Sequence, residues 1–392
     1  MSQQLAYVIL TPYSLYKSRN GGILSRLISR TGLDLAAMRM FAPSAELVKE
    51  YAGNIVSAQD NHDRKIQELL RDYVLENLSP DPKTGRRRRV LMTIFSGDDA
   101  VRKVRSVVGN LSPDRRGGET IRDTYSDLII DEASGHVRYF EPAVLAAPNP
   151  EEAATKLKLW AKYSDSDGGL LENVIAYSPN EAPERTLVLI KPDNFNFATG
   201  RPGNVIDFFS RAGLYIVGVK VLHMSIAQAL EFYGPVRAVL REKLKEGVSE
   251  RAKTVLEKEF TFKIPPAEQK ALGEILGPLH GDNQFDVIMR FMTGRTPDEC
   301  ISEEDRNKPG TQKCIALVYE GVGAVRKIRD ILGPTDPSKA PPGSIRREFG
   351  SNITVNAAHA SDSPENAQRE FAIVKPGENN FKQVIEETYG KL

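Results

Sequence analysis

The second half of this chain gathers residues that handle phosphate, each at the end of an expected element. Lys191 follows a short apolar run, Arg329 lies near the end of an amphipathic stretch, and Thr335 and Arg346 bracket the loop after it. Asn356, His359 and Ser361 close the last apolar segment, and Glu370 lies on the helix that follows. Guanidinium, ammonium and neutral N–H or O–H groups are the donors that phosphate oxygens accept. Taken singly, each has a plainer reading: a lone lysine or arginine is most often a solvated surface charge, and a lone histidine is more often structural than catalytic. The chain contains no Gly-x-x-x-x-Gly-Lys-Ser/Thr loop and no Gly-x-Gly-x-x-Gly after a strand, so the common nucleotide-binding folds have no support.

The elements that must position these residues are legible. TLVLI, Thr186 to Ile190, is a short apolar, partly β-branched run and predicts a strand. A helix is expected near 204–212, a strand over 215–223, a helix over 226–233 and then a long helical stretch. FDVIMRFM at 285–292, a strand at 314–320 and a helix at 324–333 ending on Gly333 come next. A Pro-rich loop then leads to a strand expected over 353–358, and Ser363-Pro364-Glu365 opens the last helix with an N-cap serine and a first-turn proline. This alternation of strands and helices predicts an α+β, split βαβ, ferredoxin-like sheet.

The first half repeats the pattern. AYVIL, Ala6 to Leu10, leads into Thr11-Pro12-Tyr13 as TLVLI leads into Lys191-Pro192-Asp193. AVRKVRSVVGNLSPDRRGGETIR, Ala100 to Arg122, aligns without a gap to AVRKIRDILGPTDPSKAPPGSIR, Ala324 to Arg346. A glycine stop, an irregular loop and a terminal Ile-Arg at matching offsets indicate a tandem duplication. The expected division is 1–177, a linker at 178–185, and 186–392 with insertions near 235–283 and 294–313. The chain has 392 residues with 53 Lys and Arg against 52 Asp and Glu, a formal charge of +1, which argues against a globally basic nucleic-acid coat. No apolar run approaches the length of a membrane span. MSQQLAYVIL lacks the layout of a secretory signal, so a cytoplasmic location and no membrane partner are expected. Cys300 and Cys314 fit neither a disulfide framework nor a zinc motif, and no protein-held metal is expected.

The residues from ERTLVLIKPD (Glu184 to Asp193) through GAVRKIRDILGPTDP and PPGSIRREFG to NAAHASDSPENAQRE (Asn356 to Glu370) resemble the nucleoside diphosphate kinase family. The resemblance implies a fold of two tandem domains of that type with helical insertions, and a reaction in which His359 takes a phosphoryl group from a nucleoside triphosphate and passes it to a nucleoside diphosphate. It places Lys191, Arg329, Thr335, Arg346 and Asn356 at phosphate and sugar contacts, Ser361 and Glu370 beside the histidine, and Tyr233 in EFYGP at the active-site tyrosine. Phe285 is the nearest candidate for stacking on the base, with Gln284 competing for the slot. Mg²⁺ would arrive on the nucleotide, and the family's symmetric dimers imply a homo-oligomer in which one chain replaces a dimer. The chemistry agrees: neutral imidazole is nucleophilic near pH 7, and phosphoryl transfer asks for positioning and nearby cations.

Three departures qualify the transfer. Where the family has His-Gly-Ser-Asp, this chain has His359-Ala360-Ser361-Asp362, and a methyl at Ala360 would crowd a turn that needed positive φ. The two insertions remodel the nucleotide lid. In the first half, Thr11 stands for the lysine, Leu111 for Thr335, Pro142 for Asn356 and Leu145 for His359, while Arg105 and Arg122 match Arg329 and Arg346. That half is expected to be catalytically silent, and His136 lacks a following Ser-Asp. Two other readings stand beside the kinase: a nucleotide-binding scaffold without turnover, and a nucleic-acid module using Arg86–Arg89, for which the absence of interleaved aromatics speaks against a nucleic-acid partner.

Overall fold

The computed structural model describes residues 4–56, 64–111, 117–131 and 133–391. They fall into two compact units, one of residues 1–221, 315–371 and 375–392, the other of residues 222–314 and 372–374. The strands are β1 (Gln4–Leu10), β2 (Asp34–Phe41), β3 (Val90–Gly97), β4 (Asp127–Ile130), β5 (Val137–Glu141), β6 (Val144–Ala146), β7 (Pro183–Ile190), β8 (Tyr215–Leu222), β9 (Cys314–Val322) and β10 (Ala358–Ala360).

The larger unit is built on two four-stranded sheets. AYVIL and TLVLI become β1 and β7, central strands whose apolar residues are buried throughout. The sheet orders are β2-β3-β1-β6 and, read from the opposite edge, β8-β9-β7-β10. Each therefore runs second, third, first, last, and β1 and β7 pair antiparallel with both of their neighbours. This is the ferredoxin-like order, present twice. The hairpin β4–β5 belongs to the first half alone.

The repeat extends to individual hydrogen bonds. The helices Ala100–Val108 and Ala324–Leu332 bury Ala, Val, Ile and Leu on one stripe and stop on Gly109 and Gly333 at φ 82° and 80°, a region that favours glycine. Arg122 donates to the carbonyls of Gly109 (3.0 Å) and Val144 (3.3 Å). Arg346 donates to those of Gly333 (3.1 Å) and Ala358 (3.2 Å). Each arginine thus ties the helix stop to the short last strand of its own sheet.

Side chains and backbone from both repeats join in the larger unit. Arg39 on β2 is buried and donates to the carbonyls of Ser164, Gly377 and Glu378, and burial lowers its guanidinium to about 10. Phe41 packs edge-on against Phe381 of the helix Asn380–Tyr389, centroids 5.4 Å apart. The Arg86–Arg89 run is largely used internally: Arg87 bonds Asp167 at 3.0 Å, Arg88 the carbonyl of Glu76, and Arg89 that of Ile216.

The structure differs from the sequence expectation in three elements. The strand expected over 353–358 is irregular there: Asn352 Oδ1 accepts from the N–H groups of Thr354 and Val355, a turn that competes with a strand ladder, and only Ala358–Ala360 pair. The helix opened by Ser363 is not the last, because Asn380–Tyr389 follows the Pro376-Gly377 break. In the smaller unit, one helix runs Ile226–Lys243 through Pro235, and FDVIMRFM ends the 28-residue helix Pro266–Thr293.

The helices Asn20–Thr31 and Arg201–Phe209 approach through Gly21 and Gly203. A Cβ on Gly203 would meet the Gly21 carbonyl oxygen at 2.2 Å and Ser25 Oγ at 2.4 Å. Gly203→Ala is expected to cost about 1–3 kcal/mol, read as a lowered melting temperature. Gly247→Ala, in a helix and with no atom within 4 Å of its Cβ, is expected to be neutral or stabilising in the same assay.

Candidate functional site

β10 is only three residues long, and its pairing sets the site. Ala358, His359 and Ala360 lie opposite Ile190, Leu189 and Val188 of β7. Alternation along the strand buries the two alanines and turns His359 to the open face, its side chain 25% exposed. Ala360 therefore sits in extended strand, and its methyl meets no demand for positive φ. The left-handed residue is Ala357, at φ 70°. Its carbonyl accepts from Lys191 N (2.9 Å) and Asn194 Nδ2 (2.7 Å), and its N–H donates to Asp193 Oδ2 (3.2 Å).

The helix Pro364–Val374 supplies the histidine's partner. Ser363 caps it by accepting from Asn366 N, and two turns later Glu370 returns to the strand. Glu370 Oε1 lies 2.9 Å from His359 Nε2, and Oε2 accepts from Ser361 Oγ at 2.6 Å. Ser361 Oγ also accepts from Leu187 N at 3.3 Å, which anchors it to β7. A carboxylate can only accept, so the contact assigns the proton to Nε2. Glu370 is 3% exposed, and an unsatisfied carboxylate buried this deeply would be costly.

The cations converge on the same end of the sheet. Lys191, the residue after β7, is buried and donates from Nζ to Asn356 Oδ1 (2.9 Å) and to the carbonyl of Thr354. Asn356 Nδ2 donates to the carbonyls of Thr335 (3.1 Å) and Ile353 (2.9 Å). Arg346 bonds the carbonyl of Ala358, next to the histidine. Arg329 and Thr335 are exposed, at the last turn of the helix Ala324–Leu332 and just beyond it. The structure thus brings together Lys191, Arg346, Asn356, His359, Ser361 and Glu370, with Thr335 joined through its backbone.

Tyr233 and Phe285 belong to the smaller unit. Tyr233 is buried on the helix Ile226–Lys243 beside Phe232, ring centroids 4.9 Å apart. Phe285 is 2% exposed with the Arg237 guanidinium 5.5 Å from its ring centre, so its ring is used in packing and offers no open face to a base. Sequence reasoning missed Asp193, Asn194 and Arg201. Arg201 donates to Asp193 Oδ2 at 2.7 Å and to Asn194 Oδ1 at 3.0 Å. Burial raises the Asp193 carboxyl against the opposing charges of Arg201 and Lys191. The sequence signal for Asp193 and Asn194 was only their nearness to Lys191, and Arg201, ten residues on, had none.

The first half keeps the scaffold and carries different side chains at the matching positions. Leu145 lies opposite Ile9 in the register that places His359 opposite Leu189. Ala143 repeats the left-handed turn of Ala357, at φ 61°. Thr11 bonds Glu141 at 2.9 Å, and the same carboxylate accepts from Tyr73 Oη at 2.6 Å and from Ala143 N at 2.9 Å. Lys156 follows its N-cap Asn149 at the spacing by which Glu370 follows Ser363. His136 is exposed in the β4–β5 turn.

A family model described as nucleoside diphosphate kinase matches residues 184–243 and 308–379, which carry every expected site residue except Phe285. The nucleoside diphosphate kinase of Polynucleobacter necessarius is 30% identical over 52% of this chain and 99% of its own length. That of Anaeromyxobacter is 32% identical over 50% of this chain and 91% of its own. Among solved structures, Aquifex aeolicus nucleoside diphosphate kinase is 27% identical, covers 49% of this chain and 95% of its own, and has a TM-score of 0.30.

Ser361→Ala would leave Glu370 Oε2 and Leu187 N without this partner. It is expected to cost about 1–3 kcal/mol in urea unfolding. Nitrogen-15 NMR of the wild type is expected to find His359 protonated at Nε2, and the opposite tautomer would break the Glu370 assignment.

Proposed function

Because this chain belongs to the nucleoside diphosphate kinase family, we propose that its second half transfers the γ-phosphoryl group of a nucleoside triphosphate to a nucleoside diphosphate through phospho-His359. The observation that carries this is the His359–Glu370–Ser361 arrangement, a nucleophile oriented by a buried carboxylate that is itself fixed to the sheet. The Nδ1 lone pair forms the new bond to the γ-phosphorus. The bond from that phosphorus to the bridging oxygen breaks, and the nucleoside diphosphate leaves with the electron pair. Glu370 balances the positive charge that grows on the ring by holding the Nε2 proton. A terminal oxygen of a second nucleoside diphosphate then bonds to that phosphorus, the Nδ1–P bond breaks with its electron pair returning to Nδ1, and the neutral ring is restored.

Lys191, Arg329 and Arg346 are assigned to the charge on the moving group, and Thr335 and Asn356 to neutral hydrogen bonds. Tyr233 and Phe285 are assigned to nucleotide contact on the family resemblance alone. Mg²⁺ is assigned to the nucleotide's own phosphates, because it prefers phosphate and water oxygens to an all-protein cage. Bound there, it neutralises phosphate oxygens. No helix among the described residues is long and apolar enough to cross a membrane. We extend the proposal to a cytoplasmic homo-oligomer in which each chain replaces a dimer; a clean monomer by size exclusion with light scattering would remove that extension.

γ-Labelled ATP with Mg²⁺ is expected to leave base-stable, acid-labile label on the wild type and none on His359→Gln, with GDP chasing the label off. Glu370→Ala is expected to slow turnover by about 100-fold or more. Bound nucleotide without label on either protein would instead identify a nucleotide-binding scaffold.

A further inference from the structure

The first half contains a cavity of about 370 Å³ at the position that, in the second half, holds the candidate site. Its described lining includes Arg105, Arg122, Lys156 and Glu152, with Leu70, Leu111 and Leu145 among the apolar residues. The volume is that of a site for a small organic molecule.

The charges are arranged for an anion. Glu152 is the only carboxylate among the described lining residues, and Lys156 Nζ holds it at 2.5 Å. Arg105 and Arg122 have no carboxylate partner among the described lining residues. Arg122 is 8% exposed, and its Nε is buried with no hydrogen-bond partner among the described residues. Burial and the neighbouring charge of Arg105 push the Arg122 guanidinium down to about 10. Arg105 is half-buried beside it, and an anion between the two like charges would relieve their repulsion.

The repeat identifies the kind of anion. Arg105 and Arg122 occupy the positions that Arg329 and Arg346 occupy in the second half, and Arg122 makes the same pair of carbonyl contacts as Arg346. Leu145, in the register of His359, has no nucleophilic atom, and with Leu70 and Leu111 it lines the cavity with hydrocarbon. We propose that this cavity is a second binding site that holds a nucleoside diphosphate without turnover, phosphates at Arg105 and Arg122 and the nucleoside against the leucines. The ligand class rests on the kinase reading of the second half; the charge and volume of the cavity do not.

The test is calorimetric titration of the whole chain with ADP, alongside the phosphoryl-transfer assay. Two sites are expected in the wild type. Arg105→Glu is expected to weaken one of them by about tenfold or more, and Leu111→Trp, which fills the cavity, to remove the same one. Both variants are expected to keep phosphohistidine formation. One site abolished by Arg105→Glu, without phosphoryl transfer, would support the cavity and overturn the kinase reading. One site untouched by Arg105→Glu, or two sites untouched by both variants, would overturn the inference and leave the kinase reading standing. No binding of ADP would overturn both.

Discussion

The buried carboxylate of Glu370 is the interaction on which the second half's site depends. With one oxygen on Ser361 and the other on His359, it joins a helix to a three-residue strand that has little pairing of its own. A carboxylate at 3% exposure is tolerable because both oxygens are satisfied. The same two bonds select one tautomer and one ring orientation. Burial of the carboxylate and orientation of the histidine are therefore consequences of one arrangement.

The two halves show what a duplicated scaffold retains when its chemistry changes. Sheet order, glycine stops, the left-handed Ala143 and Ala357 turns and the arginine that clamps the last strand recur in both. These features satisfy backbone groups, and losing any of them would leave buried carbonyls or N–H groups unpaired. The side chains that project from the scaffold are free of that constraint. Leu145 and Lys156 stand where His359 and Glu370 stand, and Thr11 with Glu141 and Tyr73 fills the space near the end of β1 with a closed hydrogen-bond cluster. The arginines survive in both halves because at least one of them, Arg122 or Arg346, serves the backbone as well as any ligand.

Much of the fold was legible. The short, partly β-branched apolar runs AYVIL and TLVLI read as strands, and Ser363-Pro364-Glu365 and Gly333 marked helix ends through local chemistry that needs no tertiary partner. The strand expected over 353–358 failed because local hydrogen bonding by Asn352 competes with the ladder, and composition alone does not reveal which prevails. The helix Asn380–Tyr389 was overlooked because the Pro376-Gly377 break resembles an ending. Concern over Ala360 was misplaced by three residues, since the left-handed turn falls at Ala357.

The identities and spacing of Lys191, Arg329, Thr335, Arg346, Asn356, His359, Ser361 and Glu370, and the internal repeat, were determined by the sequence by itself, because residue type and offset are one-dimensional properties. Which ring nitrogen faces Glu370, that Asp193 and Arg201 brace the turn beneath Lys191, and that Phe285 is packed away depended on side-chain geometry that residue type and spacing do not set. The cavity in the first half belongs to the same class. Arg105 and Arg122 could be aligned from the sequence, but only folding brings them to the wall of one cavity.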